Sequence, residues 1–250
     1  MSRVNIHGAD YPIGKVFSNE FVFTIPLYQR PYAWQAEQAD ALLDDLITYL
    51  GNGNEPIDEI NPYFLGSIVL IKKVDNPDAQ VVDGQQRLTT LTILLAALRM
   101  LIPPTYANSL TTYLYQEEDL IAGNPNRYRL KSRERDQDFF KNYIQDQGGM
   151  DKLKHLSPVG LSDSQQNIKE NGLRFLCYLQ KLPESQRVRL ARFIVTRCFL
   201  VVVSTPDLDS AYRIFSILND RGLDLSLPDI LKAEIIGKIP ENQQETYTAK

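Results

Sequence analysis

The hydrophobic pattern near the start of the chain predicts a short strand, a loop and a helix. Residues 21–25 (FVFTI) alternate, with Phe21, Phe23 and Ile25 on one face, as in a half-buried strand. The prolines of the next stretch, IPLYQRPYAW, end that strand and predict a surface loop. Residues 36–50 then carry apolar side chains at helical spacing with aspartates opposite, before GNGNEP breaks the pattern. We therefore expect an amphipathic helix there.

Two apolar segments farther along predict a hairpin that leads into a buried helix. Residues 63–71 (YFLGSIVLI) are continuously apolar and rich in strand-forming residues, and residues 79–82 (AQVV) follow the turn-prone VDNPD. The sequence DGQQRLTTLTILLAALRML comes directly after the second strand. Its apolar positions cover most of the circumference of a helix, which indicates deep burial. A polar turn is thus expected at the N-terminal end of this helix.

The remaining chain is mainly helical, and the whole pattern predicts an α+β fold with a small mixed β-sheet and a large helical portion. Helices are expected over roughly 106–117, 134–147, 164–181, 185–196 and 210–219, with a strand returning to the sheet over 198–204. Gly222 is placed to end the last helix, and Ser226-Leu227-Pro228-Asp229 resembles a capping box that opens another. We expect a sheet-containing part over 1–105, a mostly helical part over 106–237, and a polar linking tail over 238–250.

Composition narrows the class of protein. With 43% hydrophobic residues and a length of 250, the chain can bury a sizeable core. The net charge of -4 argues against a protein that coats nucleic acid with its whole surface, so any DNA contact must be regional. Cys177 and Cys198 lie in apolar surroundings, which favours buried thiols over a disulfide. No membrane-spanning run or signal peptide is visible, so we expect a cytoplasmic protein without membrane contact.

The segment Asp83-Gly84-Gln85-Gln86-Arg87 has the residues of an anion site. A strand that delivers it to a helix start would point unpaired backbone N–H groups and the positive end of the helix dipole at a ligand such as phosphate. Gly84 permits close backbone approach, the glutamines add polar groups, and Arg87 offers a planar fork for phosphate oxygens. Asp83 could cap the helix or hold a divalent cation. The alternative interpretation needs no ligand: Asp83 as an N-cap, Gly84 as a turn residue and Arg87 as a solvated side chain.

Two further segments are candidates for DNA contact. The loop over 25–34 combines aromatic and polar side chains able to stack on a base and contact phosphate, namely Tyr28, Gln29, Arg30, Tyr32 and Trp34. An aromatic loop packed on the core is the alternative. In RYRLKSRER, three cations alternate along a predicted strand and two more follow at a helix start: Arg127, Arg129, Lys131, Arg133 and Arg135. A solvated edge remains the alternative for this stripe.

Several enzyme classes are disfavoured by what the sequence lacks. There is no G-x-x-x-x-G-K-[ST] motif, and His7 and His155 stand far apart without cysteine or carboxylate partners at metal spacing. A Walker-type ATPase or a zinc enzyme is therefore not expected. No His-Asn-His arrangement or paired-carboxylate nuclease signature is visible either, so we do not expect these residues alone to cleave DNA.

Four separated motifs in order resemble one family. IPLYQRPYAW, YFLGSIVLI, VVDGQQRLTTL and FSILNDRGLDLSLPDILKAEI, between about residues 10 and 237, are similar to the N-terminal domain of GmrSD-type restriction endonucleases. The segment RYRLKSRERDQDFF also resembles a central element of that family. The resemblance implies a ParB/sulfiredoxin-like core that binds, and slowly hydrolyses, a nucleoside triphosphate. It also implies an anti-phage role on modified or foreign DNA, and a partner HNH nuclease domain or subunit.

The resemblance assigns roles to residues of this chain. It implies a nucleotide site at Asp83, Gly84, Gln85, Gln86 and Arg87, with Tyr28, Gln29 and Arg30 in the same cleft or sensing a DNA modification. Hydrolysis would use Asp83, Gln86 and Arg87, with Mg²⁺ on Asp83 bridging phosphate oxygens. Weaker candidates are Asn219, Arg221 and residues 229–232. Because the segment has no good general base, we expect a slow switch. Self-association into a homo-oligomer is a separate hypothesis. The competing hypotheses are a pure DNA-recognition module, reading DNA through Tyr28, Arg30, Tyr32, Trp34, Arg127, Arg129 and Lys131, and a complete nuclease.

Overall fold

A computed structural model describes residues 6–51, 53, 55–121, 123 and 125–219, and its fold is α+β, as the sequence predicts. The strands are β1 His7–Pro12, β2 Val22–Thr24, β3 Tyr63–Lys72, β4 Asp78–Asp83, β5 Tyr115–Gln116, β6 Arg127–Tyr128, β7 Leu130–Lys131 and β8 Cys198–Thr205. The α-helices are α1 Ile13–Val16, α2 Ala36–Leu50, α3 Gln85–Leu101, α4 Pro104–Thr111, α5 Glu134–Phe140, α6 Gly149–His155, α7 Asp163–Lys181, α8 Glu184–Arg197 and α9 Leu208–Asn219.

Six of the strands form one mixed sheet in the order β1-β8-β3-β4-β2-β7. The pairs β1–β8 and β3–β4 are antiparallel, and the pairs β8–β3, β4–β2 and β2–β7 are parallel. The predicted hairpin of β3 and β4 and the predicted returning strand β8 are thereby confirmed. Because β8 lies between β1 and β3, the C-terminal part of the chain completes the sheet that the N-terminal part begins. The strands β5 and β6 form a separate two-stranded ribbon.

Helix α3 is the centre of the core. Leu88, Leu91, Leu94, Leu95 and Leu98 are each fully buried along it. It is covered by the sheet and by α4, α7 and α8, which explains why apolar residues occupy most of its circumference. The prediction of deep burial is confirmed. This burial fixes the N-terminal turn of α3 rigidly at the end of β4, where the candidate site lies.

Two local predictions are wrong, and a third is confirmed with a change of helix type. The helix predicted over 106–117 ends at Thr111, since Tyr115 and Gln116 pair with β6. The helix predicted over 134–147 is present as α5, and it continues as a π-helix over Lys141–Gln145. Cys177 is exposed on the outer side of α7, although Cys198 is buried as expected.

Some elements were not foreseen, and some expectations fall outside the described residues. Reasoning from the sequence did not predict β1, α1 and α6. Gly222, the capping box at 226–229 and the tail over 238–250 lie outside the described residues. Within the described ranges, each helix is too short or too polar to cross a lipid bilayer.

Candidate functional site

Strand β4 and helix α3 meet at Gly84, which is the N-cap residue of the helix with φ +90° and ψ 8°. No side chain caps this helix, so the interpretation of Asp83 as a capping side chain is wrong. The first helical hydrogen bond runs from Leu88 N to Gly84 O, at 3.0 Å. Among the described residues, the backbone N–H groups of the preceding turn, from Gln85 to Arg87, have no acceptor. The helix start is therefore open to an anion.

Gly84 is required here for two physical reasons. Its positive φ is unfavourable for any residue with a Cβ atom. A Cβ atom at this position would also lie 2.4 Å from Cγ2 of Ile68, a buried residue of β3. Because residue 84 is a glycine, the strand-to-helix turn can pack directly against β3.

Gln86 ties the loop over 26–34 to the start of α3. Its Oε1 accepts hydrogen bonds from the backbone N–H groups of Ala33 (2.8 Å) and Trp34 (3.2 Å). Its Nε2 donates to the carbonyl oxygen of Pro31 at 3.1 Å. The side chain is buried, so these contacts satisfy an amide that would otherwise be costly to bury. Gln86 is therefore a structural link across the cleft.

Gln85 makes a second link to the same loop through Gln29. Nε2 of Gln85 donates to Oε1 of Gln29 (3.0 Å) and to the carbonyl oxygen of Arg30 (3.1 Å). Nε2 of Gln29 in turn donates to the carbonyl oxygen of Val82 at 2.7 Å. The two glutamines of α3 thus hold the loop against the end of β4, and the loop forms the opposite wall of the cleft.

Arg87 is half-buried, not solvated, so that part of the alternative interpretation is also wrong. Its Nη1 donates to the carbonyl oxygen of Ser67 at 3.0 Å. The guanidinium lies over Gly66, where a Cβ atom would stand 3.2 Å from Nη2. Burial lowers the pKa of Arg87, and the neighbouring carboxylate of Asp83 partly offsets this effect. Among the described residues, no carboxylate oxygen lies within 4.0 Å of it.

Gly66 is a site residue that reasoning from the sequence missed. It has φ +98° and lies where the pairing of β3 with β8 is irregular, between Phe64 and Ser67. This conformation leaves the space that the Arg87 guanidinium occupies. A lone glycine inside the apolar run YFLGSIVLI was the available signal, because such a glycine often marks a bulge or a close approach.

A cleft of about 230 Å³ opens between the loop and the strand-to-helix turn. Its lining residues are Gln29, Arg30, Trp34, Val82, Asp83, Gly84, Gln85, Gln86 and Arg87. All five residues of the DGQQR segment therefore lie together with three of the predicted loop residues. A larger open groove of about 1320 Å³ lies elsewhere, but Glu117, Glu118 and Asp119 in its wall disfavour an anionic ligand.

Asp83 is the one carboxylate among the residues that line this cleft. Burial raises its pKa, against the lowering effects of a hydrogen bond from the Gly84 N–H group and of the charges on Arg87 and Arg30. No group of three or more His, Cys, Asp or Glu side chains in the described part of the chain could hold a metal ion. A Mg²⁺ ion at Asp83 would therefore depend on oxygen atoms of the ligand and of water, a type of coordination that Mg²⁺ tolerates well.

Replacing Asp83 by asparagine should raise the stability of the chain at neutral pH. Since the folded state raises the pKa of this carboxyl group, it binds the proton more tightly than the unfolded state does. Its favourable contribution is complete below the unfolded pKa and is lost as pH rises through the folded pKa. Thermal unfolding followed from acidic to neutral pH should show Asp83→Asn more stable than the parent at neutral pH and equal to it in acid. A less stable variant at neutral pH would contradict this.

Two aromatic residues predicted to contact DNA are placed elsewhere. Tyr32 is buried, and its hydroxyl lies 2.8 Å from Oγ1 of Thr90 and accepts a hydrogen bond from Nδ2 of Asn171 at 2.8 Å. For Tyr32, the packed-loop alternative is thus the better description. Tyr28 lies outside this cleft with its ring 6.3 Å from that of Tyr212, and it lines an adjoining cavity instead. Asn171, which reasoning from the sequence missed, also donates to the carbonyl oxygen of Trp34 at 2.8 Å and so anchors the loop to α7.

The predicted cationic stripe is not continuous. Arg129 is buried, and it donates to Oε1 of Gln116 (2.8 Å) and to the carbonyl oxygen of Thr112 (3.0 Å). Arg127 also donates to Gln116, at 3.2 Å. Only Lys131 of these three is exposed. The stripe fails because its residues divide between the ribbon strand β6 and the main-sheet strand β7.

The remaining candidates lie at or beyond the limit of the described residues. Asn219 ends α9, and Arg221 and residues 229–232 lie outside the described part of the chain.

A comparison with known protein families supports the resemblance seen in the sequence. The model of the family described as "GmrSD restriction endonuclease, N-terminal domain" matches residues 13–236, which include the cleft and every element from α1 to α9. No curated protein matches the chain significantly. Because the family match covers most of the 250 residues, the chain belongs to the family of GmrSD restriction endonuclease N-terminal domains and has its role in a restriction system.

Proposed function

We propose that the cleft at the start of α3 binds the phosphate groups of a nucleoside triphosphate. The observation that carries this proposal is the uncapped first turn of α3, which opens into a cleft with Arg87 and Arg30 in its walls. Free N–H groups, the positive end of a 17-residue helix and two guanidinium groups all favour an anion. The cleft of about 230 Å³ has room for the phosphate groups, and the exposed Arg30 lies toward its opening.

We propose for Gln86 a positioning role in place of the catalytic one expected from the sequence. Its amide oxygen already accepts two backbone N–H groups and its nitrogen donates to Pro31, so it is poorly placed to orient a water molecule. Gln85 and Gln29 act in the same way on the loop. The groups that contact the nucleotide would then be the backbone N–H groups of residues 84–87 and the guanidinium groups of Arg87 and Arg30.

Hydrolysis by this site would be slow. Asp83 is the one acid in the cleft, and its raised pKa reflects a buried carboxylate that lowers stability when ionised. A buried carboxylate whose ionised form destabilises the fold is typical of a functional site. Mg²⁺, when bound, would supply charge neutralisation on the phosphate oxygens, and Asp83 is the residue of this chain that would hold it. We therefore propose a nucleotide-dependent switch, with DNA cleavage performed by a separate HNH nuclease domain or subunit.

The direct test is isothermal titration calorimetry of the purified chain with ATP, GTP, CTP and UTP in the presence of Mg²⁺. We expect heat of binding with at least one triphosphate, and weaker binding of the corresponding monophosphate, since the cleft recognises phosphate. If a folded chain gave no heat with any of the four triphosphates, the proposed function would be wrong.

Replacing Gly66 by alanine should weaken triphosphate binding although residue 66 does not line the cleft. The new Cβ atom would stand 3.2 Å from Nη2 of Arg87, so the guanidinium would have to shift by a few tenths of an ångström. We expect a loss of affinity of about tenfold, since misplacing one charge-assisted hydrogen bond costs roughly 1.5 kcal/mol. Calorimetry measures the affinity, with Gly160→Ala as the control, because Gly160 also has a positive φ (+84°) but no atom lies within 4 Å of a Cβ there. Equal affinities of the two variants would contradict a role for Gly66 in placing Arg87.

A further inference from the structure

A second cavity, of about 410 Å³, adjoins the cleft on the other side of the loop. It shares Gln29 and Arg30 with the cleft. Its other walls come from Tyr28 and Pro31 of the loop and from the starts of α5 and α7. Three arginines line it: Arg30 from the loop, Arg133 from the N-cap of α5, and Arg135 from its first turn. These three cations come from segments about one hundred residues apart in the sequence, and the fold alone brings them together.

The positive charge in this cavity is only partly neutralised by the protein. Among the described residues, no carboxylate oxygen lies within 4.0 Å of a guanidinium nitrogen of Arg30, Arg133 or Arg135. The Nε atom of Arg133 is buried without a hydrogen-bond partner. An unsatisfied buried donor on a cation is unfavourable unless a ligand completes it.

Two carboxylates also line the cavity, so that three arginines and two carboxylates leave a net formal charge of +1. Asp136 accepts a hydrogen bond from Oγ of Ser164 at 3.0 Å, and its attraction for Arg133 acts from beyond 4.0 Å. Asp163 is exposed in the first turn of α7. Burial lowers the pKa of Arg133, the charge of Asp136 partly offsets this effect, and the like charge of Arg135 adds to it. An anion in the cavity would act in the same direction as Asp136.

The start of α7 adds a weaker attraction for anions. This helix has 19 residues, and its N-cap, Ser162, faces the same cavity. Its capping box, between Ser162 and Gln165, satisfies part of the first turn but leaves the positive end of the helix dipole in place.

We propose that Arg30, Arg133 and Arg135 form a binding site for the phosphodiester backbone of DNA, distinct from the nucleotide cleft. Guanidinium groups bind phosphate oxygens through paired hydrogen bonds, and a cavity open to solvent with three of them suits a chain of phosphates. The predicted stripe at Arg127, Arg129 and Lys131 lacks this property, because two of its arginines are already bound to Gln116. The site needs no nucleotide, so its test is independent of the function proposed for the cleft.

Because Arg30 lines both spaces, the two ligands are expected to influence each other. A backbone phosphate on Arg30 would draw its side chain away from the cleft, or a triphosphate would draw it toward the cleft. Arg30 could thus contact either the DNA backbone or the nucleotide.

The test is fluorescence anisotropy of a short fluorescein-labelled DNA duplex with the chain, without nucleotide, over about 50 to 200 mM salt. The variant Arg133→Gln/Arg135→Gln is compared with Lys181→Gln/Arg192→Gln, which removes the same charge from exposed positions that line neither cavity. We expect the first variant to bind DNA at least about tenfold more weakly and to reduce the salt slope by about 2, one unit for each lost phosphate contact. The control should keep both values.

The same variants are then titrated with triphosphate by calorimetry, and thermal unfolding confirms that each is folded. The proposal predicts that Arg133→Gln/Arg135→Gln binds triphosphate like the parent chain. It is overturned if the parent binds no DNA, if both double variants lose equal affinity for DNA, or if the cavity substitutions weaken triphosphate binding and leave DNA binding intact. A chain that binds DNA but no nucleotide would instead refute only the function proposed for the cleft.

Discussion

Gly84→Ala should destabilise the chain by roughly 2–5 kcal/mol. A left-handed backbone costs a residue with a Cβ atom about 1–2 kcal/mol, and forcing an extra carbon into a packed core costs about 1–3 kcal/mol more. Both penalties apply, because Gly84 has φ +90° and its Cβ atom would lie 2.4 Å from Ile68. Equilibrium unfolding in urea measures the change in the free energy of unfolding.

The chain supplies a close control for this substitution in Gly148. It is the N-cap of α6 with φ +76° and likewise has no capping side chain, but no atom lies within 4 Å of a Cβ there. Gly148→Ala should therefore show only the backbone penalty of about 1–2 kcal/mol. If the two variants were equally destabilised, the tight contact between the turn and β3 would not be what makes Gly84 necessary.

Arg87→Gln should lower the affinity for triphosphate by about tenfold to hundredfold. A hydrogen bond to a charged group contributes roughly 1.5–3 kcal/mol, and the glutamine cannot supply the charge. Calorimetry with the preferred triphosphate measures the loss, and Arg192→Gln, on the exposed face of α8, is the matched control. Arg87→Lys should bind with intermediate affinity because it keeps the charge but not the planar fork.

A modest loss of stability is expected alongside, since Arg87 also donates to the Ser67 carbonyl oxygen. Thermal unfolding of Arg87→Gln separates the two effects, because a folded variant with lost affinity points to ligand contact. Parent-like affinity in that variant would exclude Arg87 from the phosphate site.

The parts of the fold with strong periodicity could be predicted from the sequence. Strands β3 and β4 and the buried helix α3 follow from unbroken apolar patterns, and the polar turn between β4 and α3 follows from its position. The ribbon β5–β6 could not be predicted, because its two-residue strands carry too short a pattern. The helical preference of residues 115–116 is overridden by their pairing with β6, about ten residues farther along the chain.

The roles of individual site residues were harder to predict than their location. Gln86 looks like a ligand-binding residue in the sequence, but its partners Ala33 and Trp34 lie more than fifty residues earlier. Asn171 contacts Tyr32 across an even longer separation of 139 residues. Such hydrogen bonds leave no periodic trace in the sequence. Reasoning from the sequence therefore located the cleft but could not separate the residues that build it from those that face a ligand.

The basic segment over 127–135 shows the same limit of prediction from the sequence. Arg129 and Arg133 stand four residues apart in one basic segment, yet one is bound to Gln116 and the other has an unsatisfied nitrogen in a cavity. Charge pattern alone predicted a cationic stripe. Only the fold distinguishes a guanidinium that is already occupied from one that is available to a ligand.

The most direct test of the central proposal is a crystal structure of the chain with a non-hydrolysable triphosphate and Mg²⁺. The proposal predicts phosphate oxygens within hydrogen-bond distance of the backbone N–H groups that open α3 and of the Arg87 guanidinium, with the metal ion near Asp83. A triphosphate bound elsewhere, with the first turn of α3 free of phosphate, would contradict it.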